Sequence, residues 1–305
     1  MEELIKLLEK EGPLTGKELS EKTGIDVLPL WRACYKSADI STKVFGQKYL
    51  RLDQKIEGYA RLSPSIMREF LTYTVVGLHK DMAEIERKAE ALYDRIKLIS
   101  KQKYELAYNT ISKLIEPLED SEDLKKNICV LIAGDVVYDM AHSELRPEVS
   151  SGKLVNGSDL DIVVISSGLS EADLKSLDLL IYKEKGFLIK NPEYKEEIDY
   201  VIKDISKAYE QMEFNDFKSM VASKILHEGI FLYGSHEIFN SVKNTLIEKN
   251  IPEKLLKLKN EAIENSKAAF SYLLTSPEKG VNKSEPLEKE FTKYFYTKEE
   301  SEEIY

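Results

Sequence analysis

The chain has 305 residues, 42% of them hydrophobic and 32% charged, enough for two or three domains with their own cores under a surface rich in lysine and glutamate. Its net charge of −10 argues against a protein that coats nucleic acid indiscriminately, although residues 1–80 are close to neutral and leave room for a local basic face. Two distant cysteines and four scattered histidines argue against a zinc site, no apolar run is long enough to span a membrane, and the acidic amphipathic start is unlike a signal peptide; a cytoplasmic protein with reduced cysteines is expected.

Leu4, Ile5, Leu7 and Leu8 recur at helical spacing up to Gly12-Pro13, which predicts a helix over 2–11. "TGKELSEKTG" predicts a short second helix ending near Gly24. "IDVLPLWRACYKS" predicts a third, capped by Asp26, with Pro29 confined to its first turn. "STKVFGQKYLRL" reads as a hairpin turning at Gly46-Gln47. Three short helices and a hairpin resemble a winged helix-turn-helix. That resemblance implies a third helix in the DNA major groove and a wing against the backbone. Arg32 and Lys36 lie four apart on one face of the third helix, and Lys43, Lys48 and Arg51 fall on the hairpin, where phosphate contacts to DNA or RNA are expected. The same charges also suit a solvated module that binds protein.

Ser63 and Pro64 read as the cap and first residue of a further helix. Met82, Ile85, Ala89, Leu92, Ile96 and Ile99 then step by three and four, a heptad seam for a helix of the same chain or for a partner, a homodimer included. Another helix is predicted from Tyr104 to Ile115, and Pro117 with the acidic "LEDSED" places a domain boundary after it.

Beyond that boundary the period changes. Ile128–Ala133 is a short apolar run stopped by Gly134, a buried strand ending in a turn, and residues 138–157 read as a polar loop. "SDLDIVVI" follows. Strand alternation sends Asp159, Asp161 and Val163 to one face and Leu160, Ile162 and Val164 to the other. Neighbouring unpaired carboxylates repel; a hard cation removes the conflict, since Mg²⁺ is held by one or two carboxylates plus substrate phosphates. Asp199 interrupts a second strand-like run, Ile198 to Ile202, and offers the third carboxylate of a two-metal phosphoryl transfer. Between the strands lies a predicted helix opened by a capping box, Ser170 with Asp173.

A strand ending in Gly, then "GSDLDIVV", a helix and "IDYVI" resemble the polymerase-β-like nucleotidyltransferase superfamily, from Ile128 to about Lys203. Its pattern is hG[GS], [DE]h[DE]h and a third h[DE]h, and "KILHEGIFLYG" continues the similarity. The resemblance implies an NTP substrate and Mg²⁺, two ions, at Asp159, Asp161 and Asp199, with Asp199 orienting or deprotonating an acceptor hydroxyl. It also implies that Gly134 lets the turn approach the nucleotide phosphates, with Ser158 helping. Two features depart from the pattern. Asp135 stands where Ser or Gly is usual, so it must point away, pair with a base, or mark a weakened site; and the loop from Gly134 to Asp159 is long for the family. Lys153 and Arg146 in that loop are phosphate-contact candidates, beside the plainer reading of a solvated loop. His142 and His227 read as exposed, and Phe231 and Tyr233 as core.

The last third is predicted to be helical, with one helix starting at Pro252; the tail "YFYTKEESEEIY" carries too little periodicity to assign. The expectation is therefore an α+β multidomain protein: a winged helix over 1–62, a helical linker over 63–120, a nucleotidyltransferase core with a mixed sheet over 121–212, and a helical region over 213–305. The function expected is transfer of a nucleoside monophosphate from an NTP to a hydroxyl of RNA, protein or a small molecule. The competing reading is a winged-helix DNA-binding regulator whose nucleotidyltransferase domain senses nucleotide or is inactive, with membership of a toxin–antitoxin-type pair as a further alternative.

Overall fold

The structure, a computed structural model, describes residues 1–148, 151–275 and 286–295. It is α+β, and its contacts divide the chain into two units, Met1–Arg95 with Lys257–Tyr305, and Ile96–Leu256. The sequence places boundaries after 62, 120 and 212; the contacts divide the chain after 95 and 256, which makes the first unit discontinuous.

The first unit opens with α1 (Glu2–Glu11), which buries Leu4 and Leu8 and stops at Gly12, and β1 (Leu14–Thr15). Next come α2 (Gly16–Thr23), started by a Thr15–Glu18 capping box and ended by left-handed Gly24, and α3 (Val27–Lys36), with Pro29 in its first turn. Asp26 holds the cap position of α3 without a side-chain hydrogen bond. β2 (Ile40–Val44), β3 (Tyr49–Leu52), β4 (Ala60–Ser63), α4 (Ile66–Tyr73) and β5 (Thr74–Leu78) follow. The expected hairpin across Gly46-Gln47 does not form. β2 pairs with β5 and β3 with β4, giving antiparallel sheets in the orders β1-β5-β2 and β3-β4. β5, "TVVGL", is buried along its whole length and takes the centre of its sheet, the place that suits an unbroken apolar strand. Ser63 ends β4 rather than capping α4; the cap is Ser65, whose Oγ accepts the Arg68 N–H.

The helices predicted over 82–99 and 104–115 are one, α5 (Met82–Ile115), and the unit boundary falls within it. The second unit continues with α6 (Ser121–Asn127) and β6 (Ile128–Ile132). The predicted polar loop contains a small hairpin, β7 (Leu145–Pro147) with β8 (Leu154–Asn156). β9 (Leu160–Ser166), α7 (Glu171–Lys190) with its Ser170–Asp173 capping box, and β10 (Ile198–Asp204) come next. α8 (Ile205–Gln211), α9 (Phe217–Glu228), β11 (Ile230–Gly234) and α10 (His236–Glu248) complete it. The mixed sheet runs β10-β9-β6-β11, with β10 parallel to β9 and β6 antiparallel to both its neighbours. Ile128, Val130 and Ile132 of β6 and Leu160, Ile162 and Val164 of β9 pack with Ile111, Ile115, Leu177 and Ile181 in one core. This packing fixes the register of the strands that carry the acids.

α11 (Ile251–Thr275) crosses the boundary back into the first unit, and α12 (Pro286–Phe295) belongs to it. Trp31 is fully buried there, its ring 5.3 Å from Tyr35, 4.9 Å from Phe270 and 6.0 Å from Phe295. The residues 296–305 of the unassigned tail lie outside those described. Cys34 and Cys129 are free and buried, as packing residues. No helix among the described residues is long and apolar enough to cross a membrane.

Candidate active site

Parallel pairing of β9 and β10 sets Asp161 directly beside Asp199, on one face of neighbouring strands. Asp159 lies one residue before β9, at the same parity, with its side chain 39% exposed. β6 delivers the turn above them: the Ala133 N–H donates to the Asp161 carbonyl at 2.9 Å, and Gly134 follows with φ 69°. A Cβ at Gly134 would overlap the Asp161 carboxylate. The glycine is therefore required both by its backbone conformation and by the close approach of an acid.

The electrostatics single out Asp161. Burial, then the charges of Asp159, Asp135, Asp199 and Glu228, hold its carboxyl well above the usual carboxylate range. Among the described residues no hydrogen bond or ion pair offsets this. Glu228 reaches the cluster from the end of α9, where it accepts the Tyr138 hydroxyl at 2.6 Å and pairs with Lys224 at 2.6 Å.

Asp135 does not point away from the acids. It accepts the Ser158 hydroxyl at 2.6 Å and adds to the field on Asp161. Ser158 is itself buried and also accepts the His142 N–H at 3.2 Å, so its hydroxyl is committed inside the turn rather than presented to a phosphate. His142 is buried too, contrary to the expectation of an exposed loop histidine: Gly157, at φ 52°, brings the chain onto the His142 carbonyl. His227 is exposed, Tyr233 is buried, and Phe231 is half-buried and stacked on His236.

The long loop holds one of its cations out of solvent. Its Arg146 side chain is 8% exposed; Nε donates to the Gly157 carbonyl at 2.7 Å, and Nη2 lies 3.0 Å from Glu197 and 3.4 Å from Asp159. α5 fastens the loop at two points. Ser100 Oγ accepts the Ala141 N–H at 3.0 Å, and Lys103, buried, donates to the Asn156 carbonyl at 2.9 Å while pairing with Glu196. Removing one partner of such a buried pair costs about 3–5 kcal/mol. Lys153 is exposed near the hairpin turn, and no bond ties it to the acids among the described residues. Sequence reasoning missed Glu197, Glu228, Tyr138 and Lys103. The one local signal was "EEID", two acids just ahead of the third strand.

The donors suit a hard cation in part. Among the described residues no three His, Cys, Asp or Glu side chains are assembled as a metal cage. Mg²⁺ asks for less, keeping water and substrate oxygens around one or two carboxylates. The uncompensated charge at Asp161 is the feature that a cation would relieve.

The five candidates for nucleic-acid contact fare unequally. Arg32 is buried and its Nε donates to the Leu273 carbonyl at 2.6 Å, so it holds α11 instead of facing a groove. Lys48 neutralises the buried Glu69 at 2.6 Å. Lys36 and Lys43 are exposed, with Glu86 4.0 Å from Lys43, and Arg51 is half-buried on β3 opposite Arg61. Comparison with protein-family models, curated proteins and solved structures finds no match.

Proposed function

We propose that the second unit is a Mg²⁺-dependent nucleotidyltransferase that moves a nucleoside monophosphate from an NTP to an acceptor hydroxyl and releases pyrophosphate. The observation that carries this reading is the pairing of Asp161 with Asp199 beneath the Gly134 turn, with Asp159 adjacent and the Asp161 charge unrelieved. Asp159 and Asp161 would hold the cation, which when bound neutralises phosphate charge and acidifies a hydroxyl. Asp199, the exposed member, orients the acceptor hydroxyl and takes its proton. Gly134 lets the turn close onto the Asp161 carboxylate, which any side chain there would displace. The first unit has the order helix, strand, two helices, strand and a later central strand, with sheet order β1-β5-β2; this supports reading it as a winged helix with an enlarged wing. With Arg32 and Lys48 engaged internally, Lys36 and Lys43 are the exposed cations left among the five candidates, Lys43 with Glu86 4.0 Å away.

Label from the α-phosphate of each NTP, offered with Mg²⁺ to RNA and to protein, tests the activity. Wild type is expected to transfer label, and Asp159→Ala with Asp161→Ala, or Asp199→Ala alone, to lose it by roughly a hundredfold or more. Undiminished transfer in the folded variants would end this reading. One observation favours a second reading, a regulator that binds nucleotide without turnover: Asp135 brings another negative charge to the acids where a triphosphate would lie. Mg²⁺-dependent NTP binding without transfer, with transfer gained in Asp135→Ser, is the result that this reading expects.

A further inference from the structure

The three contacts of Arg146 are graded. The Gly157 carbonyl at 2.7 Å and Glu197 at 3.0 Å are the close ones, and Glu197 is fixed, its side chain 12% exposed and its other oxygen 3.6 Å from Lys185 Nζ. Asp159 is the long contact, 3.4 Å, with its side chain 39% exposed and its backbone outside the β9 ladder. A guanidinium carries five donors, so releasing Asp159 leaves Arg146 bonded to the carbonyl and to Glu197. No buried charge is stranded by the exchange, which is the condition that makes it cheap.

We propose, on the reading of Asp159, Asp161 and Asp199 as a cation seat, that Arg146 is a resident counter-cation: it occupies Asp159 while the seat is empty and yields it to an incoming divalent ion, with Glu197 as the anchor that retains the guanidinium. Metal affinity then records a competition for Asp159. Arg146 opposes the ion. Glu197, by drawing Arg146 toward itself, assists it. Substitutions at the two positions therefore act with opposite signs, and the Glu197 effect operates through Arg146.

Mn²⁺ alone, titrated into the full-length protein and followed by loss of the free-ion paramagnetic resonance signal, reads this without turnover. Asp161→Ala, which should abolish the binding, identifies the site. Arg146→Gln is expected to bind Mn²⁺ on the order of tenfold more tightly, the lower end of what one charge about 4 Å away supplies. Glu197→Gln is expected to bind several-fold more weakly, and the double variant to match Arg146→Gln. A Glu197 effect that persists in the double variant is a through-space loss of charge and overturns the hand-over, as does unchanged or weaker binding by folded Arg146→Gln. If Arg146→Gln does not fold, Glu197→Gln stands by itself: equal or tighter binding there overturns the proposal. Wild-type protein that takes up no Mn²⁺ removes the cation seat itself and the counter-cation with it, whereas a wild type that binds beside unresponsive variants removes only the role of Arg146.

Discussion

A carboxylate facing four others without a cation of its own works against the fold that holds it. Asp161 is in that position, its carboxyl raised first by burial and then by Asp159, Asp135, Asp199 and Glu228. In the unfolded chain the same acid titrates near its ordinary value, so between that value and the raised one the native state binds the extra proton. Stability from this group therefore falls as pH rises through the window, and the full penalty stands above it. Asp161→Asn keeps the shape and removes the charge. In metal-free buffer near pH 7.5 it is expected to be more stable than wild type by roughly 1–2 kcal/mol, the size of gain seen when a strained functional site is relieved. Thermal unfolding followed by circular dichroism should show a midpoint a few degrees higher, with the gain shrinking toward pH 4. A gain equal at both pH values would refute this account. At this scale the acids were legible because alternation and a glycine stop are local signals. Arg146 stood out only as a loop cation; its role was not legible, because nothing within a few residues of it announces that Glu197 and Asp159 will surround it.

The helix α9 ends on a lysine borrowed from the next helix. Lys243 donates to the carbonyls of Leu226, His227 and Gly229 at 2.8, 2.7 and 2.6 Å, closing the last turn of the helix that carries Glu228. Its burial lowers the ammonium to about 8. Lys243→Met removes every one of these donors and leaves partly buried carbonyls unpaired, at an expected cost of roughly 2–3 kcal/mol. Urea unfolding measures it; a midpoint unchanged from wild type would show that water replaces the amine at no cost. Two elements were misread from sequence, each for its own reason. β5 begins at the residue after α4, with no turn residue between Tyr73 and Thr74 to separate a strand from a helix. α5 read as two helices because Ser100 to Lys103 interrupt its apolar stripe; in the fold Ser100 and Lys103 are buried on that stripe and hold the site loop. A polar residue with a distant partner looks, in sequence, like a break.

The two units share a chain that crosses their boundary twice, each time inside a helix, at 95/96 in α5 and 256/257 in α11. A boundary inside a continuous helix leaves no shift in composition, so the expected one near Pro117 fell at the helix end instead. The single tryptophan, Trp31, belongs to the core of the first unit. Its fluorescence should therefore report the unfolding of that unit alone, while circular dichroism reports both. Millimolar Mg²⁺ is expected to raise the dichroism midpoint for the second unit and leave the fluorescence midpoint in place. A common shift of both signals would show that the units unfold as one.

The core around Trp31 also contains Ala269, Leu273, Tyr294 and Phe295. A ribosome supplies these only after translating the whole of 96–256. At roughly 5–20 residues per second the delay is on the order of ten seconds or longer. Through that interval the nascent first unit holds an apolar surface that nothing yet covers, and the second unit can fold to completion ahead of it. Of the two units, the one begun first is finished last, and its exposure to chaperones and to aggregation is written into the order of the chain.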